Sequence, residues 1–348
     1  MFGILSAIEA NGTIKDWSRL YYFCQKQAIV GLAFGEIEGR WNEKKEKIPE
    51  ELLYQWIGDT EQIKLENQLL NREVESLAEL LDKEKVKYAV VKGQVAATYY
   101  QRPELRCSGD VDFYCPSEDF LRAKELIEKE WGLSVEKGKS PYHYHFDRNG
   151  VTFEMHFLLY RTYYRRREKY WKELLDNSLG HRVKIGNANV ATLQPTVHVL
   201  YVFLHLYNHL IQKGVGLKQF YDLGMMLNDN VDKTELRNHL KVLGVARAFN
   251  ACEYVLTDYI GVSSEYMPYK MGGLDRLYGR KILKEVLGGG NMGSHNNHFW
   301  NGCGHLLEAI CVKTVHFITY FWLSPKYHVG WMINRIGVLM SKIKERDE

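Results

Sequence analysis

Residues 105–115 read LRCSGDVDFYC and place two aspartates, Asp110 and Asp112, one residue apart in a stretch that is otherwise typical of a buried strand. Side chains at positions i and i+2 of a strand lie on the same face, so the two carboxylates project side by side. Carboxylates this close repel each other, which either raises the pKa of one of them or requires a cation between them. The stretch therefore predicts either a divalent-metal site, since Mg²⁺ prefers oxygen ligands, or an exposed acidic rim at a strand end.

Helical patterns precede this stretch. Asp16 begins an amphipathic segment as a capping residue, and Pro49 stands where the first turn of a second helix tolerates proline. In residues 60–86 apolar side chains recur every three or four positions or at multiples of that spacing, which places them on one stripe of a helix. These side chains are Ile63, Leu70, Val74, Leu77 and Leu81. We therefore predict an N-terminal helical region over residues 1–84.

The period of the pattern changes at residue 87. KYAVVKG and GDVDFYC have the short β-branched and aromatic composition of strands, and SEDFLRAKELIEKEW is typical of an amphipathic helix with Ser117 as its cap. YHYHF and VTFEMHF, joined by the polar turn DRNG, predict a hairpin. This order predicts an α+β fold, with a mixed sheet and flanking helices, and excludes a doubly wound parallel array.

The rest of the chain is mostly helical in pattern. RVKIGNANVATL predicts a short β excursion, and Pro195 then starts a run of amphipathic segments that continues to the C-terminus. We place a mixed α/β core at residues 85–193 and a helical C-terminal domain at residues 194–348.

Two further features accompany the aspartates. Gly93 ends the first strand at a turn into a helix, where free backbone N–H groups can hold phosphate, and Lys92 adds a positive charge. Glu154 lies on a later strand, with His156 two positions on and therefore on the same face. A third carboxylate from a neighbouring strand is what a two-metal centre for phosphoryl transfer needs.

Together these motifs resemble the DNA polymerase β superfamily of nucleotidyltransferases, in which a strand ending in glycine and a helix precede an Asp-x-Asp strand and a later strand carboxylate. More narrowly, residues 87–227 are similar to the family of uncharacterised nucleotidyltransferases. The resemblance is carried by VVKGQVAATYYQRPELRCSGDVDFYC, VTFEMHF and HLYNHLIQKGVGLKQFYDLGMML.

The resemblance implies an activity and a metal site. It implies that Asp110, Asp112 and Glu154 bind Mg²⁺ or Mn²⁺, and that Glu154 also serves as base for the acceptor hydroxyl. It implies transfer of a nucleoside monophosphate from a nucleoside triphosphate to an unidentified acceptor, either a small molecule or a protein. Two alternatives stay open: a catalytically inactive relative that binds a nucleotide or a partner in the manner of an antitoxin, and a helical scaffold that contains an acidic strand.

The resemblance also implies that the turn of Lys92, Gly93 and Gln94 binds the triphosphate. Most of the wider superfamily has Gly-Gly or Gly-Ser at this turn, whereas the narrower family shares the lysine. Arg106 precedes Asp110 by four residues, and its guanidinium either holds a phosphate in a forked contact or pairs with Asp110 or Asp112.

Histidines accompany the acidic strands. His143 and His145 alternate in YHYHF and share a face, which we expect to be the face of Glu154 and His156 across the hairpin. We predict that His143, His145 and His156 form a substrate-binding wall, with a structural role as the alternative for each.

Histidines also occur on the helical side of the chain. His205 and His209 stand at i and i+4 of a predicted helix, with His198 one heptad earlier. We favour a structural or acceptor-pocket role for them over zinc, the structural version being a packing face capped by Asp222. A second group has the residue types of a zinc site without its regular spacing, and consists of His295, His298, Cys303 and His305.

Charge and cysteine content restrict the class of protein. The 46 basic residues nearly balance 43 acidic ones, so no overall field favours nucleic acid or a membrane. Residues 161–172 interleave basic and aromatic side chains, which suits nucleic acid, an anionic acceptor or a solvated helix face. The first residues have no positively charged start followed by a long apolar run, so we expect no signal peptide. Charged and histidine side chains within residues 306–323 favour a buried or amphipathic helix over a membrane span, and six scattered cysteines favour a reducing cytoplasm.

Overall fold

The structure of the protein, a computed structural model, describes residues 16–44, 48–138, 142–291, 314–334 and 337. The N-terminal residues 1–15 and the second histidine and cysteine group of the sequence analysis therefore lie outside the described residues.

Three helices open the described chain: α1 (Trp17–Lys26), α2 (Val30–Lys44) and α3 (Glu50–Lys83). The Asp16 side chain caps α1 by accepting a hydrogen bond from the Arg19 amide at 3.0 Å, as predicted. The predicted apolar stripe is confirmed along α3, where its last four members are buried and its first is half-buried.

A five-stranded mixed sheet follows, and it confirms the α+β prediction. Its strands are β1 (Ala89–Val91), β2 (Val111–Tyr114), β3 (Glu136–Lys137), β4 (His143–Arg148) and β5 (Val151–His156). Their order across the sheet is β1-β2-β5-β4-β3, with β2 and β5 parallel and the other neighbours antiparallel. The parallel pair brings the Asp-x-Asp strand beside the strand of the third carboxylate.

Two helices connect these strands. The short α4 (Gly93–Ala97) follows β1, and α5 (Ser117–Trp131) follows β2. The prediction that Ser117 caps α5 is wrong, because Pro116 occupies the cap position. The Ser117 hydroxyl instead accepts a hydrogen bond from Lys172 at 2.7 Å.

The predicted hairpin is confirmed. β4 and β5 are joined at Asn149 and Gly150, both with positive φ, which is the backbone of a tight two-residue hairpin turn. The β excursion becomes a separate two-stranded ladder of β6 (His181–Ile185) and β7 (Ala188–Thr192), which follows helix α6 (Arg165–Asn177).

The C-terminal part is helical, as predicted. Its helices are α7 (Pro195–Gln212), α8 (Leu217–Met226), α9 (Lys233–Leu243), α10 (Ala246–Tyr254) and α11 (Gly273–Gly289), followed by helical segments at 314–320 and 325–334. Among the described helices, none combines the length and the apolar character that crossing a membrane requires.

Two hydrophobic clusters fill the interior, and α3 contributes to both. The second half of α3 packs against the sheet, where Leu77 of the helix and Phe153 of β5 belong to the same cluster. Its first half, including Trp56, joins α1 and α2 to the helices of the C-terminal part. The division at residues 84 and 193 stays a prediction.

One carboxyl group of the helical part is buried without an evident charge partner. Glu253 on α10 is 1 % exposed, and burial raises its pKa to about 8. Its Oε1 atom accepts no hydrogen bond from the residues that the structure describes. The folded chain therefore holds a proton on Glu253 at pH values where the unfolded chain has released it.

We expect the free energy of unfolding to fall as the pH rises from about 4.5 to about 8, because only the folded state is protonated at Glu253 in this window. Glu253 should contribute about 1 kcal/mol per pH unit to this slope. Urea unfolding at several pH values measures it. Glu253→Gln should make the slope shallower by this amount, the exposed Glu79→Gln should keep it, and an unchanged slope in Glu253→Gln would contradict the assignment.

Candidate active site

Strand register brings the acidic residues together. The parallel pairing of β2 with β5 places Asp112 directly opposite Glu154. Asp110 immediately precedes β2 and is exposed, whereas Asp112 is 2 % exposed. The pairing of β1 with β2 sets Val91 opposite Asp112, so the Lys92 turn begins beside the carboxylates.

Two cationic or hydrogen-bonding side chains compensate the buried Asp112 carboxylate. Lys92 Nζ lies 2.7 Å from Oδ2, and His156 Nε2 lies 2.9 Å from Oδ1. Burial alone would raise the pKa of Asp112, but the Lys92 charge and the His156 hydrogen bond together hold it well below its usual range. Asp112 is therefore ionised, and each of its oxygens has a partner.

The pKa of Asp110 shifts in the opposite direction from that of Asp112. The negative charge of Asp112 and partial burial raise the pKa of Asp110. This is the repulsion between neighbouring carboxylates that the sequence predicts.

His156 links the two strand carboxylates. Its Nε2 atom is also 3.4 Å from Glu154 Oε2. Burial lowers the pKa of His156, but its hydrogen bonds to Asp112 and Glu154 outweigh burial and raise it. Ligand atoms of Asp112, Glu154 and His156 all lie within 4.8 Å of one another. Two carboxylates and an imidazole at this spacing fit a divalent cation, with the carboxylate oxygens suited to Mg²⁺ or Mn²⁺.

The turn after β1 has an unusual backbone. Lys92 has φ of 56° and ψ of −140°, a sparsely populated conformation for a residue with a side chain. Its amide donates a hydrogen bond to His198 Nε2 at 3.0 Å. A Cβ atom added at Gly93 would lie 3.4 Å from the Asp110 carbonyl oxygen, so the turn packs closely against the acidic strand.

Gln94 does not join this site. It is buried, and its amide donates to Asn71 Oδ1 at 2.5 Å. It lines a different cavity, between α3, α4 and the β6–β7 turn. The expectation that Gln94 binds a nucleotide beside Lys92 is corrected, because the first turn of α4 directs its side chain away from the carboxylates.

Arg106 has a partner that the sequence analysis did not consider. Its Nε and Nη2 atoms each lie 2.7 Å from an oxygen of Asp222, in a forked pair whose arginine is 3 % exposed. Tyr100 also donates to Asp222, at 2.9 Å. The predicted pairing with Asp110 or Asp112 is therefore wrong. The forked phosphate contact is corrected too, because Asp222 already occupies the fork.

A cavity of about 260 Å³ joins these groups. The predicted residues that line it are Lys92, Gly93, Arg106, Asp110, Asp112 and Glu154. Its other wall is built from α7, α8 and their connection, and includes His205, His209, Lys213, Lys218 and Asp222. The carboxylates thus face a wall that carries two lysines.

The lysines of this wall were missed in the sequence analysis. Lys218 stands four positions before Asp222 in GLKQFYD, on one face of α8, and this spacing was the available signal. Burial and the nearby Arg106 charge lower the pKa of Lys218.

The histidines of α7 have two different roles. His205 and His209 line the cavity with ring centroids 4.4 Å apart, and burial lowers the pKa of both, that of His209 to about 4. His198 instead accepts the Lys92 amide hydrogen bond. The alternative in which Asp222 caps a histidine packing face is wrong, because Asp222 pairs with Arg106.

The histidines of the hairpin share the face of Glu154 and His156, as expected. His143 lies opposite His156, with ring centroids 5.4 Å apart, and His145 lies opposite Glu154. His143 and His156 line a second cavity, described below, whereas His145 lines neither this cavity nor the first among the described residues. Substrate binding by these three histidines stays a prediction.

Comparison with known proteins decides the family. The model of the uncharacterised nucleotidyltransferase family matches residues 14–260. The chain belongs to this family. The match contains the strand carboxylates, the Lys92 turn and both helices of the cavity wall, so the nucleotidyltransferase resemblance of the sequence is confirmed.

Two solved structures show weaker similarity. An antigenic nucleotidyltransferase-like protein from Paracoccidioides brasiliensis is 16 % identical, with 56 % of this chain and 93 % of that one covered and a TM-score of 0.38. The nucleotidyltransferase toxin MenT4 from Mycobacterium tuberculosis H37Rv is 13 % identical, with 73 % and 94 % covered and a TM-score of 0.32. No curated protein matches the chain.

Arg106 and Asp222 can be tested as a structural pair. Arg106→Met should lower the free energy of unfolding by about 3–5 kcal/mol, because it leaves the Asp222 carboxylate buried without its cation. Asp222→Leu should lower the free energy of unfolding by a similar amount, because it leaves the Arg106 guanidinium buried without its anion. The double variant should lose clearly less than the sum of the two, as urea unfolding of all four proteins would show. Additive losses would mean that the two side chains do not depend on each other.

Proposed function

We propose that this chain is a divalent-metal-dependent nucleotidyltransferase that moves a nucleoside monophosphate from a nucleoside triphosphate to an acceptor hydroxyl. One observation carries the proposal: Asp112 and Glu154 lie side by side on parallel strands, with Asp110 and the Lys92 turn on the same cavity. Membership of a nucleotidyltransferase family supports the same class of reaction.

The three carboxylates are the groups that would hold Mg²⁺ or Mn²⁺. Asp110 is exposed immediately before β2, while Asp112 and Glu154 present oxygens within a few ångströms of each other. A metal bound here supplies positive charge against the transferred phosphate and the leaving pyrophosphate.

The protein's own side chains bind the nucleotide and handle the proton. Lys92 lines the cavity with its Nζ atom 2.7 Å from Asp112, and Lys213 and Lys218 line the opposite, helical wall. The His156 hydrogen bond lowers the pKa of Glu154, so its carboxylate is ionised and can accept the proton of an acceptor hydroxyl. Lys92 and the two wall lysines thus bind phosphate, and Glu154 acts as base.

One observation favours a second candidate, a relative that binds nucleotide without transferring it. The Lys92 ammonium is 2.7 Å from Asp112, on an oxygen that a metal would otherwise use. A permanent contact of this kind would reduce metal binding at Asp112 while keeping a cationic phosphate site.

The described cysteines fit the proposed cytoplasmic location. All four are unpaired thiols, and they are Cys24, Cys107, Cys115 and Cys252. A reducing compartment keeps thiols in this state.

The activity is tested by incubating cell extract with the protein, Mg²⁺ and isotopically labelled ATP or CTP. Mass spectrometry should find a molecule that gains one nucleoside monophosphate. Asp110→Asn should reduce this product at least about a hundredfold, because it removes a charge that stabilises the transferred phosphate. Asp110 is exposed, so the variant should fold normally, and the equally exposed Asp147→Asn on β4 is the matched control.

Calorimetry separates the two candidates. A transferase binds nucleotide and Mg²⁺ and gives the labelled product, whereas the second candidate binds nucleotide and gives none. Product formation by Asp110→Asn at the wild-type rate would contradict the proposed metal site.

Lys218 is expected to contact the triphosphate. Lys218→Met should weaken nucleotide affinity about tenfold, because it removes one charge-assisted contact from the cavity wall. Lys241→Met, on the exposed side of α9, is the control and should bind as the wild type does. Equal affinities for wild type and Lys218→Met, measured by calorimetry with ATP, would exclude this contact.

A further inference from the structure

A second cavity, of about 430 Å³, is lined by His156, whose imidazole contacts Asp112 and Glu154 of the first cavity. His143 and His156 form its inner end, and Asn208 and Gln212 of α7 line one side. Tyrosines form much of the remaining wall, and they are Tyr142, Tyr160, Tyr163 and Tyr327.

The two cavities share a helix and a strand as their partition. On α7, His205 and His209 line the first cavity, while the neighbouring face with Asn208 and Gln212 lines the second. On β5, Glu154 lines the first cavity, and His156 lines the second while contacting Glu154. The inner end of the second cavity is therefore in contact with the proposed base through one side chain, His156.

The second cavity continues into a third, of about 610 Å³, through the shared residues Tyr142, Leu158, Arg161 and Tyr163. We name the two together the basic trough. Its outer part carries the cations Arg161, Arg165, Lys169 and Lys172, against one carboxylate, Glu168, in its lining. Lys169 has a further acidic neighbour in Glu173 at 3.6 Å, which leaves an excess of positive charge along the trough.

Arg161 stands at the junction of the two parts. Its guanidinium lies over the rings of Tyr142 and Tyr163, at 5.2 and 5.3 Å from their centroids. Its Nε atom is buried and donates no hydrogen bond to any residue that the structure describes. A guanidinium that lies over two rings and has an unsatisfied donor is suited to a phosphate group.

Tyr163 keeps this arrangement at a conformational cost. It has φ of 62°, which is unfavourable for a tyrosine. A Cβ atom added at Gly330 would lie 2.6 Å from the Tyr163 Cβ, so this glycine allows the close approach that holds the ring in place.

We propose that the basic trough binds the acceptor, and that the acceptor carries phosphate. Its hydroxyl lies at the inner end, by His156 and Glu154, and its phosphate contacts Arg161 and the outer lysines. The acceptor oxygen forms a bond to the α-phosphorus while its proton passes to Glu154. The bond from the α-phosphorus to the bridging oxygen breaks, and pyrophosphate leaves with that electron pair. This assignment rests on the proposed function.

Phosphate can come from a small sugar phosphate or from the end of a single-stranded nucleic acid, and the test distinguishes them. The probes are glucose phosphate, unphosphorylated glucose and a single-stranded RNA of about eight nucleotides. This length is within the usual site size of proteins that bind single-stranded nucleic acid. Binding of each to the full chain is measured by calorimetry or fluorescence anisotropy.

The wild type should bind glucose phosphate or the RNA, and in either case more tightly than glucose. Arg161→Met and the double variant Lys169→Met with Lys172→Met should each weaken that binding at least about tenfold. Arg166→Met is the matched control, because Arg166 is exposed on the same helix and lies outside the lining of the trough. It should bind as the wild type does.

Three results would overturn the acceptor site: no binding of either phosphate-bearing probe, equal binding of glucose, or wild-type affinity in the trough variants. ATP titration of the same proteins measures nucleotide binding at the first cavity separately. The trough variants should keep wild-type ATP affinity. A chain that binds a phosphate-bearing probe through Arg161 but binds no ATP would support the trough while removing the transferase proposal.

Discussion

The buried charge of Asp112 is the constraint on which the arrangement of the site depends. A carboxylate that is 2 % exposed is costly unless other groups compensate it, and Lys92 and His156 do so on its two oxygens. These partners come from the end of β1 and from β5, on either side of β2 in the sheet. Compensation of one charge thus fixes three strands and the turn after β1 relative to one another, which is the arrangement that gathers the three carboxylates.

A second buried pair attaches this sheet to the helices. Arg106, just ahead of β2, and Asp222 of α8 are separated by 116 residues and meet in a forked contact. Breaking such a pair leaves an unpaired buried charge, whereas an apolar pair of similar shape would hold the same elements without that penalty. Because the Arg106–Asp222 contact is an ion pair, the position of α8 depends on both side chains. Since Lys218 is one turn away from Asp222 on α8, the pair also sets how far Lys218 stands from the carboxylates.

Local pattern predicted the elements but not the contacts between distant ones. The two-residue period placed His143 and His145 on one face of β4, and the helical period placed the stripe of α3, because both depend on neighbouring residues alone. The direct opposition of Asp112 and Glu154 depends on β5 pairing in parallel with β2 after an intervening hairpin strand. Gln94 was misplaced because one further residue in a helix rotates the side chain by about 100°. The Arg106 partner lay too far along the chain for any periodicity to indicate it.

Under the proposed function, the Lys92 ammonium explains how a turn without the usual Gly-Gly or Gly-Ser pair can serve nucleotide transfer. Under the proposed function, a triphosphate would add negative charge to the cavity that Asp110, Asp112 and Glu154 line, so the site would need positive charge besides that of a metal. Lys92 supplies it at the acidic strand, and Lys213 and Lys218 supply it at the opposite wall. A lysine stem is flexible, so its ammonium can stay hydrogen-bonded to Asp112 or turn toward an arriving phosphate, whereas the amides of a small-residue turn are fixed in place. Under the proposed function, the charge that compensates the buried aspartate would thereby also be available to the nucleotide.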